Sequence, residues 1–133
     1  MKNVMRSFFV GAIAALLVAS ATVPSEAARR AARSTRAFDG TWSVVIQTLR
    51  GDCDPTLRAA VRIYSGRVYA DDPSYQAYGA VGSGGAIRVT LVRGNQSAGG
   101  AGRLRGNVGS GWWRTASGQC SGRWTAERRF ANY

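Results

Sequence analysis

The feature that most constrains this chain is a series of short segments of alternating apolar and polar residues, separated by glycine-rich turns, that begins near residue 38. In the first segment Trp42, Val44 and Ile46 fall on one face, as alternate residues of a β-strand do. Residues 82–85, Gly-Ser-Gly-Gly, are typical of a tight hairpin, because glycine reaches the positive φ angles such turns need.

The predicted strands cover residues 41–49, 59–63, 68–70, 75–81, 87–92, 97–105, 111–115 and 119–128. Segments of this kind at intervals of about eight to twelve residues, none with a helical period, predict an all-β sandwich or barrel. Because the turns are short and sequential, we favour a small up-and-down antiparallel β-barrel of about eight strands over residues 38–133.

The N-terminus has the three-part layout of a secretory signal peptide. Two basic residues precede an apolar run over residues 8–19, and Ser25 and Ala27 are the small residues of a cleavage site. A membrane anchor is the alternative, but this run of about twelve residues is shorter than the roughly twenty that a bilayer span needs. We therefore predict a signal peptide over residues 1–27 and an exported protein, periplasmic or extracellular.

Residues 28–37 are predicted to form a basic flexible arm. They include four arginines and no apolar residue larger than alanine. Residues 28–133 contain 16 Arg, no Lys and six acidic residues, a net charge of +10. Such a charge suits an anionic partner, either envelope components or polysaccharide, with peripheral membrane contact through the arm. We give more weight to compositional drift as the origin of the charge; a protein partner also stays open, and no specific nucleic-acid partner is predicted.

Cys53 and Cys120 are the two cysteines of the chain. In an exported protein two cysteines most often form a disulfide. A redox pair is the alternative, but it needs a Cys-x-x-Cys motif or a setting that lowers the thiol pKa, and neither is visible. We therefore predict one structural disulfide.

Gly40-Thr41-Trp42 at the start of the first strand, with Arg128 in the last, resembles the opening and closing residues of the calycins, the lipocalin and avidin barrels. The resemblance implies that Trp42 closes the barrel floor and that the guanidinium of Arg128, or alternatively of Arg129, packs over its indole. Cation–π attraction would stabilise that contact while the charge stays at the rim.

The chain resembles less closely the small secreted metalloprotease-inhibitor barrels of Gram-negative bacteria. The common features are size, an export signal, the Gly-Thr-Trp opening and one disulfide. In those inhibitors the two cysteines lie close together in sequence, whereas Cys53 and Cys120 are far apart.

A second Gly-x-Trp pattern, Gly122-Arg123-Trp124, lies in the last predicted strand. If that strand pairs with the first, Trp124 and Trp42 pack together at one end of the barrel. Chance is the alternative, because the pattern is short.

Candidate ligand-binding residues surround the sequence Trp112-Trp113-Arg114. Adjacent residues of a strand point to opposite faces, so one of the two tryptophans is expected to point outward. With Arg105 and Arg123 on neighbouring strands, an exposed indole beside arginines is a platform for sugar rings or nucleobases. The alternative is a tryptophan covered by the basic arm or a loop.

No catalytic residues, metal site or cofactor are predicted. The chain has no histidine and residues 28–133 have no lysine, so a serine nucleophile would lack a base. We therefore predict a non-catalytic secreted or periplasmic binding protein, not an enzyme, that takes a small or anionic ligand or an envelope surface. The alternative is a protein–protein interaction module such as a protease inhibitor or adhesin-like exoprotein.

The predicted interior separates these two functions, because a small-molecule binder needs a cavity. A filled or very shallow barrel is expected from the large side chains that point inward, which are Trp42, Ile46, Ile63, Ile87, Leu91 and Trp124.

Overall fold

Eight antiparallel strands form a closed barrel in the computed structural model, which describes residues 19–130. The strands are β1 (Gly40–Arg50), β2 (Thr56–Tyr64), β3 (Arg67–Ala70), β4 (Gln76–Val81), β5 (Ala86–Arg93), β6 (Gln96–Arg105), β7 (Val108–Thr115) and β8 (Ser121–Arg129). Each pairs with its neighbours in sequence, and β8 pairs with β1. The predicted all-β, up-and-down barrel of eight strands is confirmed. The apolar run of the predicted signal peptide lies almost wholly outside the described residues.

Helix α1 (Glu26–Arg36) precedes the barrel. The Ser25 hydroxyl accepts a hydrogen bond from the Ala28 backbone N–H at 3.2 Å, as an N-cap side chain does. Alanine and arginine, which dominate the segment, have high helix propensity. This helical backbone was not anticipated for the basic arm. Within residues 19–130 no helix has the length and apolar character of a transmembrane span.

The two ends of the barrel differ in the elements that they contain. The closed end, where β1 begins and β8 ends, contains the most deeply buried side chains, among them Trp42, Ile63 and Leu104. The open end contains the β1–β2, β3–β4, β5–β6 and β7–β8 loops. The hydrophobic core therefore sits toward the closed end.

The predicted disulfide between Cys53 and Cys120 is present, with the two Cα atoms 6.2 Å apart. It joins the β1–β2 loop to the β7–β8 loop at the open end, next to the seam at which β1 and β8 close the barrel. Gly51 (φ +93°) lies against it: an added Cβ would be 2.7 Å from the Cys120 Sγ and 2.1 Å from the Gln119 carbonyl oxygen. A side chain at position 51 would therefore clash with the backbone beside the disulfide.

Strand β3 is the shortest strand, and it pairs with β4 only through Arg67 with Ala80 and Val68 with Gly79. After β3 ends, the Tyr75 side chain forms hydrogen bonds to the backbone of β2. The Tyr75 hydroxyl donates to the Ala60 carbonyl at 2.5 Å and accepts from the Ala60 N–H at 2.9 Å. The Ala60 carbonyl also accepts from the Asp71 backbone N–H at 3.1 Å, so the group that depends on the tyrosine is the Ala60 N–H.

Candidate ligand-binding sites

The closed end is formed by Trp42, which is 1% exposed, and by Arg128, which lies opposite it in the β1–β8 register. The Arg128 Cζ is 5.0 Å from the centroid of the Trp42 ring, within cation–π range. The indole Nε1 donates to the Phe38 carbonyl at 2.9 Å. Arg129, the alternative partner, is exposed.

Arg128 also links β8 to two other chain segments at this end, the stretch before β1 and the β6–β7 turn. Its Nη1 donates to the Asp39 carbonyl at 3.1 Å, and its Nη2 donates to the carbonyls of Ala37 and Gly106 at 2.7 and 3.1 Å. Gly40 (φ +138°) passes close by, since an added Cβ would be 3.4 Å from the Arg128 Cδ. The glycine of the Gly-x-Trp pattern thus combines a backbone angle that other residues rarely adopt with room for the arginine.

The barrel encloses a cavity of about 350 Å³ that opens at the open end. Our expectation of a filled or very shallow barrel was therefore wrong. The closed end is filled as expected, but Ile46 and Leu91 are only partly buried. The interior rows around them carry small residues, namely Ala59, Ala77, Ala98 and Gly100. Because large inward residues on some strands face small inward residues on others, the side chains do not fill the interior, and the cavity remains.

Trp124 lines this cavity and is 9% exposed. It lies opposite Ile46, four residues along β1 from Trp42. Trp124 is therefore nearer the open end than Trp42 is, whereas the sequence predicted that the two indoles pack together at one end. A Cβ added at Gly102 would be 2.6 Å from its Cζ2, and one added at Gly109 would be 3.4 Å from its Cζ3. The glycines of β6 and β7 therefore make room for the indole.

Polar side chains border the cavity at the open end, and Asp72, Ser74, Tyr75 and Arg93 define what we call the rim. Hydrogen bonds from Ser74, whose backbone N–H donates to Asp72 at 2.7 Å, and the charge of Arg93 lower the pKa of Asp72. Burial raises the pKa of Tyr75. At neutral pH the rim therefore offers a carboxylate, a guanidinium and a neutral phenol.

The structure divides the predicted Trp-Trp-Arg cluster between two faces of the sheet. Trp113 points inward, lines the cavity and donates from its Nε1 to the Gln47 carbonyl at 2.9 Å. Trp112 points outward and is 64% exposed, with the Arg123 Cζ 5.3 Å from its ring centroid. The outward indole is thus partnered by an arginine, while the basic arm and the loops leave it exposed.

The other two predicted arginines differ in position. Arg114 lies on the same strand as Trp112, opposite Gly99 and Ser121. Arg105 lies opposite Val108 toward the closed end, four residues along β6 from the partner of Trp112, which is about 14 Å. Trp112, Arg114 and Arg123 therefore form one surface, and Arg105 is not part of it.

The rim residues were missed at the sequence level. In the sequence, Tyr75 and Arg93 are residues next to turns, and nothing in the sequence around them indicates a site. They come together only because the β3–β4 and β5–β6 loops lie at the same end of the barrel. An up-and-down topology, once assumed, could have indicated this grouping.

Within residues 19–130 no group of three or more His, Cys, Asp or Glu residues is arranged to hold a metal ion. A scan against protein-family models found no matching family, and a search of curated proteins found no relative.

Proposed function

We propose that this protein is an exported, calycin-like binding protein that holds a small, mainly apolar molecule inside the barrel, with the polar end of that molecule at the rim. The observation that carries the proposal is the cavity of about 350 Å³, closed at the Trp42 end and open at the other. Its volume falls at the lower end of the roughly 300–1,000 Å³ range of small-molecule sites.

The walls of the cavity supply the affinity. Val44, Ile46, Leu91 and Trp113 present apolar surface, and burying apolar area contributes about 25 cal/mol per Å². The rim supplies orientation, because Arg93 donates to an anionic or carbonyl group and Asp72 accepts from a hydroxyl or amine. This division between an apolar interior and a few polar groups is typical of ligand sites.

The calycin comparison and the export rest on separate observations. The Arg128–Trp42 contact supports the comparison, since it reproduces the arrangement that the Gly-x-Trp resemblance implies. The disulfide is consistent with an oxidising, exported environment. The proposal contains no catalytic step, because the chain has no histidine and the carboxylate beside the Ser74 hydroxyl, that of Asp72, has a lowered pKa and is therefore a weak base. A cavity also favours ligand binding over the alternative of a protein–protein interaction module.

The test compares Ala98→Leu with Ala101→Leu. Both residues are on β6, but Ala98 lines the cavity and pairs with Leu91 and Thr115, whereas Ala101 faces outward in the row of Trp112. Binding is measured by displacement of Nile red by octanoate, octanol and octylamine, three probes of equal chain length with different polar ends.

We expect Ala98→Leu to weaken all three probes about tenfold, and Ala101→Leu to leave them unchanged. A difference between octanoate and octylamine would identify which rim charge the polar end meets. Failure of every probe to displace Nile red, or equal weakening by both variants, would contradict an interior site.

A further inference from the structure

The outer wall of the barrel contains a shallow trough that the interior site does not use. Outward residues of β6 are small, namely Ser97, Gly99 and Ala101, while the neighbouring wall carries Tyr78 on β4 and Trp112 on β7. We call this wide, open depression the outer trough; the space above its lining residues is about 1200 Å³. Tyr78 is 56% exposed and Trp112 is 64% exposed. Three strand spacings separate their strands, or about 14 Å.

The floor of the outer trough is not explained by packing within the barrel. Gly102, on the inner face of β6, faces Trp124, and an added Cβ there would clash. A Cβ added at Gly99, on the outer face, would meet nothing within 4 Å, and its φ is not one that favours glycine. The barrel itself would therefore accept a larger residue at position 99. The small residues of β6 instead leave Tyr78 and Trp112 exposed, with Arg123 over one face of the Trp112 ring.

The charge around the outer trough has one sign. Arg50, Arg67, Arg88 and Arg114 border it, and none of its described lining residues is acidic. The ion pair between Arg62 and Asp71 lies outside it. Arginines without acidic neighbours attract anionic ligands and hold carboxylates with two parallel hydrogen bonds.

We propose that the outer trough binds an acidic polysaccharide, with sugar rings against Trp112 and Tyr78 and carboxylates on the bordering arginines. Flat aromatic faces beside a floor of small residues admit one extended chain, and such rings combine an apolar face with polar edges. A flat lipid surface would not enter a trough between two rings. The disulfide is consistent with an exported environment, where acidic glycans are among the polymers that carry carboxylates. This site is on the opposite face of the sheet from the cavity and does not depend on it.

The test measures binding of labelled polygalacturonate by fluorescence anisotropy, with dextran as the neutral glycan. Gly99→Leu fills the floor, and we expect affinity to fall about tenfold. Trp112→Ala removes one ring, and we expect about a tenfold loss that is equal at low and physiological salt. Arg88→Gln should weaken binding chiefly at low salt, since screening reduces the contribution of a charge.

Two variants are matched controls. Arg129→Gln removes the same charge from an exposed arginine outside the outer trough, and Ala98→Leu changes the inner face of β6. Both should bind polygalacturonate within about twofold of the parent. Deletion of residues 28–36 removes charge but no part of the outer trough, so it should weaken binding at low salt and change it less than about twofold at physiological salt. That deletion removes four arginines and keeps Ala37, whose carbonyl Arg128 contacts.

Several results would overturn the proposal. One is binding that falls equally for Arg88→Gln and Arg129→Gln and is unaffected by Gly99→Leu, which would identify non-specific charge attraction. Another is tighter binding of an oligothymidylate or of phosphatidylglycerol vesicles than of polygalacturonate. Loss of polygalacturonate binding in a Gly99→Leu protein that keeps its melting temperature and its octanoate affinity would support it and leave the interior site unaffected.

Discussion

The two ends of the barrel are built from the same alternation of residues but serve opposite purposes. At the closed end the inward positions carry Trp42, Ile63 and Leu104, each at most 2% exposed. At the open end the corresponding positions carry Ala98, a partly exposed Trp113 and the polar rim. The strand pattern determines which face is inside, and the size of the side chain in each row determines whether that interior is core or cavity.

Different interactions hold the two ends together. The closed end excludes water from a tryptophan and holds the two terminal nitrogens of an arginine with three backbone carbonyls. The open end depends on a covalent bond and on the Tyr75 hydroxyl to hold its strands together. A cavity in the open half requires that fewer side chains pack against one another there. The disulfide and the Tyr75 hydrogen bonds compensate for the stability that those missing contacts would supply.

The largest expected effect is at the closed end. Trp42→Ala should lower the free energy of unfolding by about 3–5 kcal/mol, because it leaves a large cavity in a filled region. Urea denaturation measures this loss. Trp113→Ala is the control at the open end, and its loss should be smaller because that indole is partly exposed. Equal losses for the two tryptophans would remove the distinction between the ends.

Removing the disulfide should have the next largest effect. The double change Cys53→Ser with Cys120→Ser should cost about 2–4 kcal/mol, since the unfolded chain regains the freedom of a long loop. Thermal unfolding of oxidised and variant proteins gives the difference. If the open end needs this link more than the closed end does, amide exchange should rise in the β1–β2 and β7–β8 loops first. Uniform acceleration around the whole barrel would contradict that difference.

Tyr75→Phe should cost about 1–3 kcal/mol, because the Ala60 N–H loses its partner, whereas the Ala60 carbonyl still accepts from the Asp71 N–H. The raised pKa of Tyr75 adds a pH dependence. The neutral phenol is favoured in the folded state, so its stabilisation is present below the ordinary tyrosine pKa of about 10 and is lost as pH rises through the higher folded value. Denaturation at alkaline pH should show this loss in the parent. It should persist in Tyr69→Phe, a change on the outer wall, and be absent from Tyr75→Phe.

The smallest effect should come from Asp72→Asn at the rim. The pKa of Asp72 is lowered in the folded protein, chiefly by hydrogen bonds from Ser74. Its stabilisation is therefore present above the ordinary aspartate pKa and is lost as pH falls through the folded value. The melting temperature should decline less at acidic pH in Asp72→Asn than in the parent, with Asp52→Asn as the control. An identical acid decline in Asp72→Asn and the parent would show that the rim carboxylate contributes no linked stability.

The sequence predicted the strands, the closure and the disulfide, because alternation, turns and cysteine number are local or countable signals. It also predicted that Trp112 and Trp113 face opposite ways, but alternation alone could not say which is outward. The cavity escaped prediction, since its volume depends on which rows meet across strands, such as Ala98 beside Leu91 and Thr115. Side-chain size at one position gives no information about its partners until the register is known.

The disulfide has a kinetic consequence that follows from its place in the chain. Pairing β1 with β8 joins the most distant strands, and contacts between distant residues slow folding because the intervening loop must close first. With Cys53 bonded to Cys120, the contact between Thr48 and Gly122 is reached by a short path across the sulfur bridge. Measured along this path, the β1–β8 contacts are about as local as those of a hairpin. The oxidised chain should accordingly fold faster than the reduced one, with a lower effective contact order for the same topology.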